Sequence, residues 1–361
     1  MRIVVSAVNF SEGGPLTVLR DCLAAARASL PPETEIVALV HRAALIETPG
    51  IRLLEFPTVK SSWLSRINLE YRGFGKLARE LSPDFWLSLH DVSPRLSGVR
   101  QAVYCHNPIP FFRPTLRDAQ LDPTLLAFRL AYRFFYQFNI HSNAAVVVQQ
   151  EWLRQEFVRR FGVQRVIVAH PDIVDLPISQ DVPRDPGILS LFYPTVPRGF
   201  KNIELLCEAM QNLPADLPRR PELCVTIDGT ENRYARFILD RYRDVPGVRF
   251  IGRQSRAEMA WHYARCDALL FPSRVETWGL PITEAKQFNR PILVADEPYA
   301  RETVGTYDAV AFLPSDQPLC WRDAIVKAAR GQAPWGPVST PPPAPPYAEG
   351  WIDLWQQLLN A

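Results

Sequence analysis

Two glutamates eight residues apart, Glu276 and Glu284, flank a turn in the string FPSRVETWGLPITEA, which runs from Phe271 to Ala285. The pattern reads as a strand ending at Phe271, a loop presenting Glu276, the Gly279-Leu280-Pro281 turn, and a helix carrying Glu284. A helix start leaves backbone N–H groups without intrahelical acceptors and carries the positive end of the helix dipole. It is an anion site, and phosphate is its commonest occupant. Carboxylates flanking a phosphate suit ligand hydroxyls. Taken alone, two glutamates at this spacing are also an ordinary pair of surface charges.

Cations stand at a second strand end. In FYPTVPRGFKN, Phe192 to Asn202, Arg198 and Lys201 precede a helix start. Charge-assisted bonds to a leaving diphosphate are the functional reading, and exposed surface cations the alternative. Asp228-Gly229-Thr230 and Ile251-Gly252-Arg253 follow strands and either line a ligand or only reverse the chain. Near the N-terminus, Gly13-Gly14 follows an apolar run and permits close backbone approach. The segment Tyr104-Cys105-His106-Asn107-Pro108 ends a strand, which aims His106 at the ligand side of a parallel sheet. His90-Asp91 ends a neighbouring strand and competes for that role.

The elements that must position these groups alternate. Apolar runs at 3–8, 35–40, 51–56, 85–89, 101–104, 144–148 and 166–169 read as strands, with helices between them. The alternation restarts at 188–193, 222–227, 248–251, 268–271, 291–294 and 310–312. Two α/β domains with doubly wound parallel sheets follow, at 1–180 and 187–333, joined by a linker at 177–187. Seven prolines between Pro334 and Pro346 mark a stiff connector, and 347–361 holds an amphipathic helix expected to return to the first domain.

A chain of 361 residues accommodates two domains, and 47% hydrophobic content excludes wholesale disorder. A net charge of +2 gives no global field for nucleic acid. Residues 60–133 are locally basic, with eleven Lys/Arg, among them Lys60, Arg66, Arg72, Lys76 and Arg79, against six Asp/Glu. The aromatic and basic run from Phe128 to Tyr136 is amphipathic enough to pack a core or touch a membrane. Six dispersed cysteines without C-x-x-C exclude a zinc ribbon and fit reduced thiols in a cytoplasmic protein. No apolar stretch is long enough to span a bilayer.

The string from Phe271 to Ala285 resembles the retaining glycosyltransferases of family 4, whose second domain carries E-x7-E followed by E-A, and the order of the surrounding parts extends the resemblance over most of the chain. It implies the GT-B fold, two Rossmann-like domains facing a cleft, and transfer of a sugar from a nucleotide-sugar donor to a glycan acceptor. By carry-over, Glu276 meets the donor sugar and Glu284 the ribose. The amides of Thr277, Trp278, Gly279 and Leu280 meet the diphosphate and sugar, with Trp278 standing where the family usually has Phe. Lys201 matches the diphosphate lysine. The partner arginine belongs near Val196, and Arg198 is the candidate substitute. Gly13 and Gly14 match the glycine loop, Asp228, Gly229 and Arg253 line the donor, and His106 touches the donor sugar.

The resemblance is nearest to bacterial enzymes of O-antigen, capsule or exopolysaccharide synthesis. It implies a lipid-linked acceptor and weak peripheral contact with the inner face of the cytoplasmic membrane. The chain lacks the D-x-D triplet that holds a metal–nucleotide diphosphate in the other main glycosyltransferase fold, and no metal or other cofactor is expected. A GT-B epimerase, a phosphorylase and a non-catalytic nucleotide-sugar-binding protein are the rival readings.

Overall fold

The computed structural model describes residues 1–61, 63–173, 175–177 and 183–360. The chain divides into two compact units, one of residues 1–110, 130–172 and 343–361, the other of 111–129 and 173–342. Of the expected linker at 177–187, residues 178–182 lie outside the described residues.

In the first unit the strands are β1 (Arg2–Ala7), β2 (Glu35–Val40), β3 (Arg52–Glu55), β4 (Phe85–Ser88), β5 (Arg100–Cys105), β6 (Ala145–Val148) and β7 (Val166–His170). They form one parallel sheet in the order β7-β6-β5-β4-β1-β2-β3. Most of their residues are buried on both faces, which is why they read as unbroken apolar runs. The strands are parallel, so the loops after β1, β4 and β5 all leave from the same sheet end, beside the reversal of strand order between β1 and β4. Those loops carry Gly13, His90 and His106.

The second unit contains β8 (Ile188–Tyr193), β9 (Arg220–Val225), β10 (Val248–Phe250), β11 (Ala268–Phe271), β12 (Ile292–Ala295), β13 (Tyr307–Leu313) and β14 (Gly336–Val338). Their order is β10-β9-β8-β11-β12-β13-β14, all parallel except the last pair. Here the reversal lies between β8 and β11, the strands that end just before the Lys201 and Glu276 segments.

Four expectations need correction. The proline connector is not simply an extended spacer: Gly336–Val338 pairs antiparallel with β13, at a sheet edge where Pro337 is tolerated. The final helix starts at Gly350 rather than Tyr347, because Tyr347–Glu349 first adds a parallel strand beside β7. Gly350 makes the bend at φ +81°, where a Cβ would collide with the Asp172 carboxylate. The helix Gly350–Leu359 then buries Trp351, Leu354, Trp355 and Leu358 in the first unit's core, and the Trp355 indole N–H donates to the Cys22 carbonyl at 3.0 Å. Between the strands expected at 51–56 and 85–89 the helix is interrupted: α-helical Trp63–Asn68 and Phe74–Leu81 are joined by a π-helical turn, Leu69–Gly73. Residues 111–129, which the alternation assigns to the first domain, lie in the second unit.

Candidate functional site

Lys201 closes a single 3₁₀ turn, Gly199–Lys201, after β8. Asn202, at φ +59°, reverses the chain into the helix Ile203–Gln211. The Tyr193 hydroxyl, at the end of β8, donates to the Lys201 carbonyl at 2.6 Å. The ammonium is held as well. Its Nζ lies 2.6 Å from Glu276 Oε1 and within cation–π reach of Phe200 and Phe271, at 5.6 and 5.9 Å. The two charged side chains are 14% and 13% exposed, so this bond is poorly screened by solvent. The ammonium has three donors, so it can meet an anion while it holds the glutamate, whose second oxygen is left to accept a hydroxyl.

The loop carrying Glu276 is pinned from behind. The Tyr299 hydroxyl donates to the Ser273 carbonyl at 2.8 Å, the Ser273 hydroxyl to the Val275 carbonyl at 3.2 Å, and the Thr303 hydroxyl to the Trp278 carbonyl. Trp278 is buried, with its indole N–H 3.3 Å from Thr283 Oγ1. Its larger ring is thus accommodated inside the unit. Gly279 precedes the helix Leu280–Gln287 at φ +93°, and a Cβ there would sit 3.4 Å from Phe271 and Ile282. That contact is ordinary, so it is the backbone conformation that calls for glycine. Pro281 occupies the first turn, where no amide hydrogen is required.

On that helix, Glu284 Oε2 accepts the hydroxyl of fully buried Tyr263 at 2.7 Å. Burial raises the Glu284 carboxyl above its ordinary range, against the lowering effect of the Tyr263 bond. The native state therefore holds this proton more tightly than the unfolded chain does, and stability is lost as pH rises through the raised value. Glu284→Gln removes that loss and keeps an acceptor for Tyr263. Its melting temperature should gain on the wild type as pH climbs from about 4 towards neutrality. A melting series in which the gap shrinks with rising pH would count against this environment.

Arg198 does not join Lys201 on a common partner. It is 54% exposed and lies 3.7 Å from Asp122 Oδ2, while Val196, at the place where the resemblance looks for arginine, is also exposed. Asp228 is exposed, and its Oδ1 accepts the Thr230 hydroxyl and N–H at 2.6 and 2.9 Å, which lowers its pKa. Gly229 has φ +90° and Gly252 φ +69°. A Cβ on Gly252 would stand 3.3 Å from Asp228 Oδ2, so the two glycine turns abut, with Arg253 exposed next in the chain. Among the described residues, no three His, Cys, Asp or Glu side chains cluster as metal ligands.

In the first unit, Gly13 stands at φ +63° at the start of the helix Gly13–Ser29, and a Cβ on Gly13 or Gly14 would meet nothing within 4 Å. The two histidines differ. His90 is 1% exposed and turned into the unit, with Nε2 3.2 Å from Ser6 Oγ and Nδ1 3.3 Å from buried Glu70, which also takes Arg66 at 2.7 Å. Burial lowers its pKa. His106 is 17% exposed. Buried Asp91, in the left-handed region at φ +68°, accepts the backbone N–H groups of His106 and Asn107 on Oδ1 at 2.8 and 3.2 Å. The same oxygen lies 3.0 Å from the Tyr136 hydroxyl and 3.8 Å from His106 Nδ1. Of the two, only His106 has an accessible edge.

Arg274, inside the motif string, and Asp118, far from it, carry no local signal of a partnership, yet they bond to each other and Arg274 also bonds to the Lys201 turn. The Thr115-x-x-Asp118 spacing is a legible capping box. Nothing local announces its arginine partner.

Residues 183–329 match the family model for glycosyl transferases group 1. No curated protein matches the chain. Solved structures show the same fold at low identity. Sucrose-phosphate synthase from Thermosynechococcus elongatus aligns with a TM-score of 0.65 and 14% identity, covering 93% of this chain and 91% of its own. WaaG, a glycosyltransferase involved in lipopolysaccharide biosynthesis, aligns with 0.63 and 17%, covering 91% and 94%. Anabaena HepE in complex with UDP-glucose aligns with 0.60 and 14%, covering 91% and 90%. The fold is GT-B, with two Rossmann-like α/β units.

Proposed function

With a group 1 glycosyltransferase domain over residues 183–329 as the premise, we propose that this protein transfers a sugar from a nucleotide-sugar donor to a glycan acceptor, with retention at the anomeric carbon. The observation that carries the reading is the Lys201–Glu276 bond, formed at the mouth of a glycine-started helix that also bears Glu284. These are a cation and helix-start amides for a diphosphate, one carboxylate for a sugar hydroxyl and one for ribose.

In the reaction the anomeric carbon–oxygen bond to the diphosphate breaks and a bond to the acceptor oxygen forms on the same face. The acceptor proton passes to the departing diphosphate oxygen. Lys201 and the amides after Glu276 stabilise the charge that builds on that oxygen. No metal is required in this scheme. The test is thermal stabilisation by a panel of nucleotide sugars, UDP-glucose first, in buffer with and without EDTA. One donor should raise the melting temperature equally in both buffers, because a ligand of the native state stabilises by mass action. Stabilisation that vanishes in EDTA and returns with Mn²⁺ overturns the metal-free scheme, and no stabilisation by any donor overturns the donor site. Retention is read from the anomeric configuration of the product.

The acceptor in this proposal is lipid-linked, used in bacterial surface polysaccharide synthesis at the cytoplasmic face of the membrane. No helix among the described residues is long and apolar enough to cross a membrane. The supporting surface lies in the first unit. Leu130, Phe134 and Phe138 recur every fourth residue and are 58%, 71% and 56% exposed. Phe138 packs on Tyr71 at 4.7 Å, beside the helix whose Arg72, Lys76 and Arg79 are exposed. Tyr132 and Tyr136 of the same aromatic run are buried instead, and the Lys60 side chain lies outside the described residues. Weak binding to anionic vesicles that fades with salt is expected, since exposed charges are screened beyond ~8 Å at physiological ionic strength. Equal sedimentation with neutral and anionic vesicles would remove the electrostatic part.

A further inference from the structure

Asp118 is remote from Lys201 and Glu276 in the chain, yet it is built into their support. Its side chain is 3% exposed and that of Arg274 15%. The Arg274 guanidinium donates from Nη1 to Asp118 Oδ2 at 3.0 Å and from Nη2 to Oδ1 at 2.5 Å. Nη2 also donates to the Gly199 carbonyl at 2.9 Å, and the Arg274 backbone N–H donates to the Phe200 carbonyl at 2.8 Å. Arg274 therefore grips the first two residues of the turn that ends in Lys201, and it lies two residues before Glu276 in the opposing loop. Phe112 sits 5.0 Å from the guanidinium and meets the Phe200 ring at 5.9 Å. Asp118 is fixed in turn, because Oδ2 accepts the Thr115 N–H and hydroxyl at 2.7 and 2.8 Å. A Cβ on Gly199 would lie 2.8 Å from Asp118 Oδ1, so the turn rests directly on this carboxylate.

A buried ion pair is weak evidence for stability, because well-packed apolar side chains of similar volume often stabilise as much. What a planar, two-bonded fork does supply is geometry. We propose that Asp118 and Arg274 are positioning residues that set the Lys201 turn against the Glu276 loop, so that the ammonium meets the donor diphosphate. This rests on the donor-site reading above. Without the carboxylate, the guanidinium keeps only the Gly199 carbonyl and its plane is no longer fixed. The lysine then loses its register, while surfaces that touch the base and ribose do not.

The test is calorimetric titration of the wild type, Asp118→Asn, Lys201→Ala and the double variant. The probes are whichever of UDP, GDP and ADP binds the wild type most tightly, and its free nucleoside. Asp118→Asn should weaken the diphosphate about tenfold and leave the nucleoside within about twofold. In the Lys201→Ala background, Asp118→Asn should cost nothing further for the diphosphate, since its effect passes through the lysine. Equal losses for diphosphate and nucleoside, or a full loss persisting without Lys201, would overturn the positioning role. If Asp118→Asn does not fold, Gly199→Ala displaces the turn with both charges kept and should give the same pattern. Lys201→Ala alone tests the donor site: unchanged diphosphate affinity there sinks that reading and this role together, whereas failure in the Asp118 arm alone sinks only the positioning role.

Discussion

Lys201→Ala is expected to cut kcat by roughly 10²-fold or more at saturating donor, about 2.7 kcal/mol of barrier. Two effects act in the same direction. The diphosphate leaves with charge that the ammonium no longer meets, and preorganised charge in a solvent-poor site is costly to lose. Glu276 also loses the only hydrogen-bond donor described for its carboxylate, at 13% exposure. An uncompensated carboxylate so placed repels the diphosphate it should flank. Steady-state kinetics separates the possibilities. A raised KM with unchanged kcat would make Lys201 a ground-state anchor and not a stabiliser of the leaving group.

Glu276→Gln should likewise lower kcat by roughly 10²-fold, with a small effect on donor KM, whereas Glu284→Gln should chiefly raise KM. The difference follows from what each carboxylate is assigned to touch. Contacts to the transferred sugar change as the anomeric carbon reacts, and contacts to ribose do not. The surroundings agree with two separate tasks. Glu276 is bound to the ammonium of Lys201, while Glu284 is held by the hydroxyl of a fully buried tyrosine on a helix. Matched losses of kcat in both variants would mean that the two carboxylates act on one group.

Much of this arrangement was legible in the chain. The strands at 188–193 and 268–271 coincide with their apolar runs, because a strand buried on both faces must be apolar throughout. They end where the motif residues begin, so the positions of Lys201 and Glu276 followed from local pattern. Their direct bond did not. It depends on two loops meeting across 75 residues. Asp118 and Arg274, 156 residues apart, were hidden for the same reason. Each short edge strand at 336–338 and 347–349 was masked by neighbouring prolines, which read as connector although an edge position tolerates them. Arg198 and Lys201 looked equivalent in sequence. Their exposures, 54% and 14%, and their partners, Asp122 at 3.7 Å and Glu276 at 2.6 Å, distinguish a surface cation from a placed one.

The central claim is that the E-x7-E unit divides a nucleotide-sugar donor between its two carboxylates. Titrating Glu276→Gln and Glu284→Gln with nucleoside diphosphate alone tests it most directly, because that ligand has ribose and no transferable sugar. Glu284→Gln should lose about tenfold in affinity, as expected for a charged hydrogen bond to a hydroxyl, and Glu276→Gln should stay near the wild-type value. Loss of nucleotide affinity in Glu276→Gln with wild-type binding in Glu284→Gln would contradict the assignment.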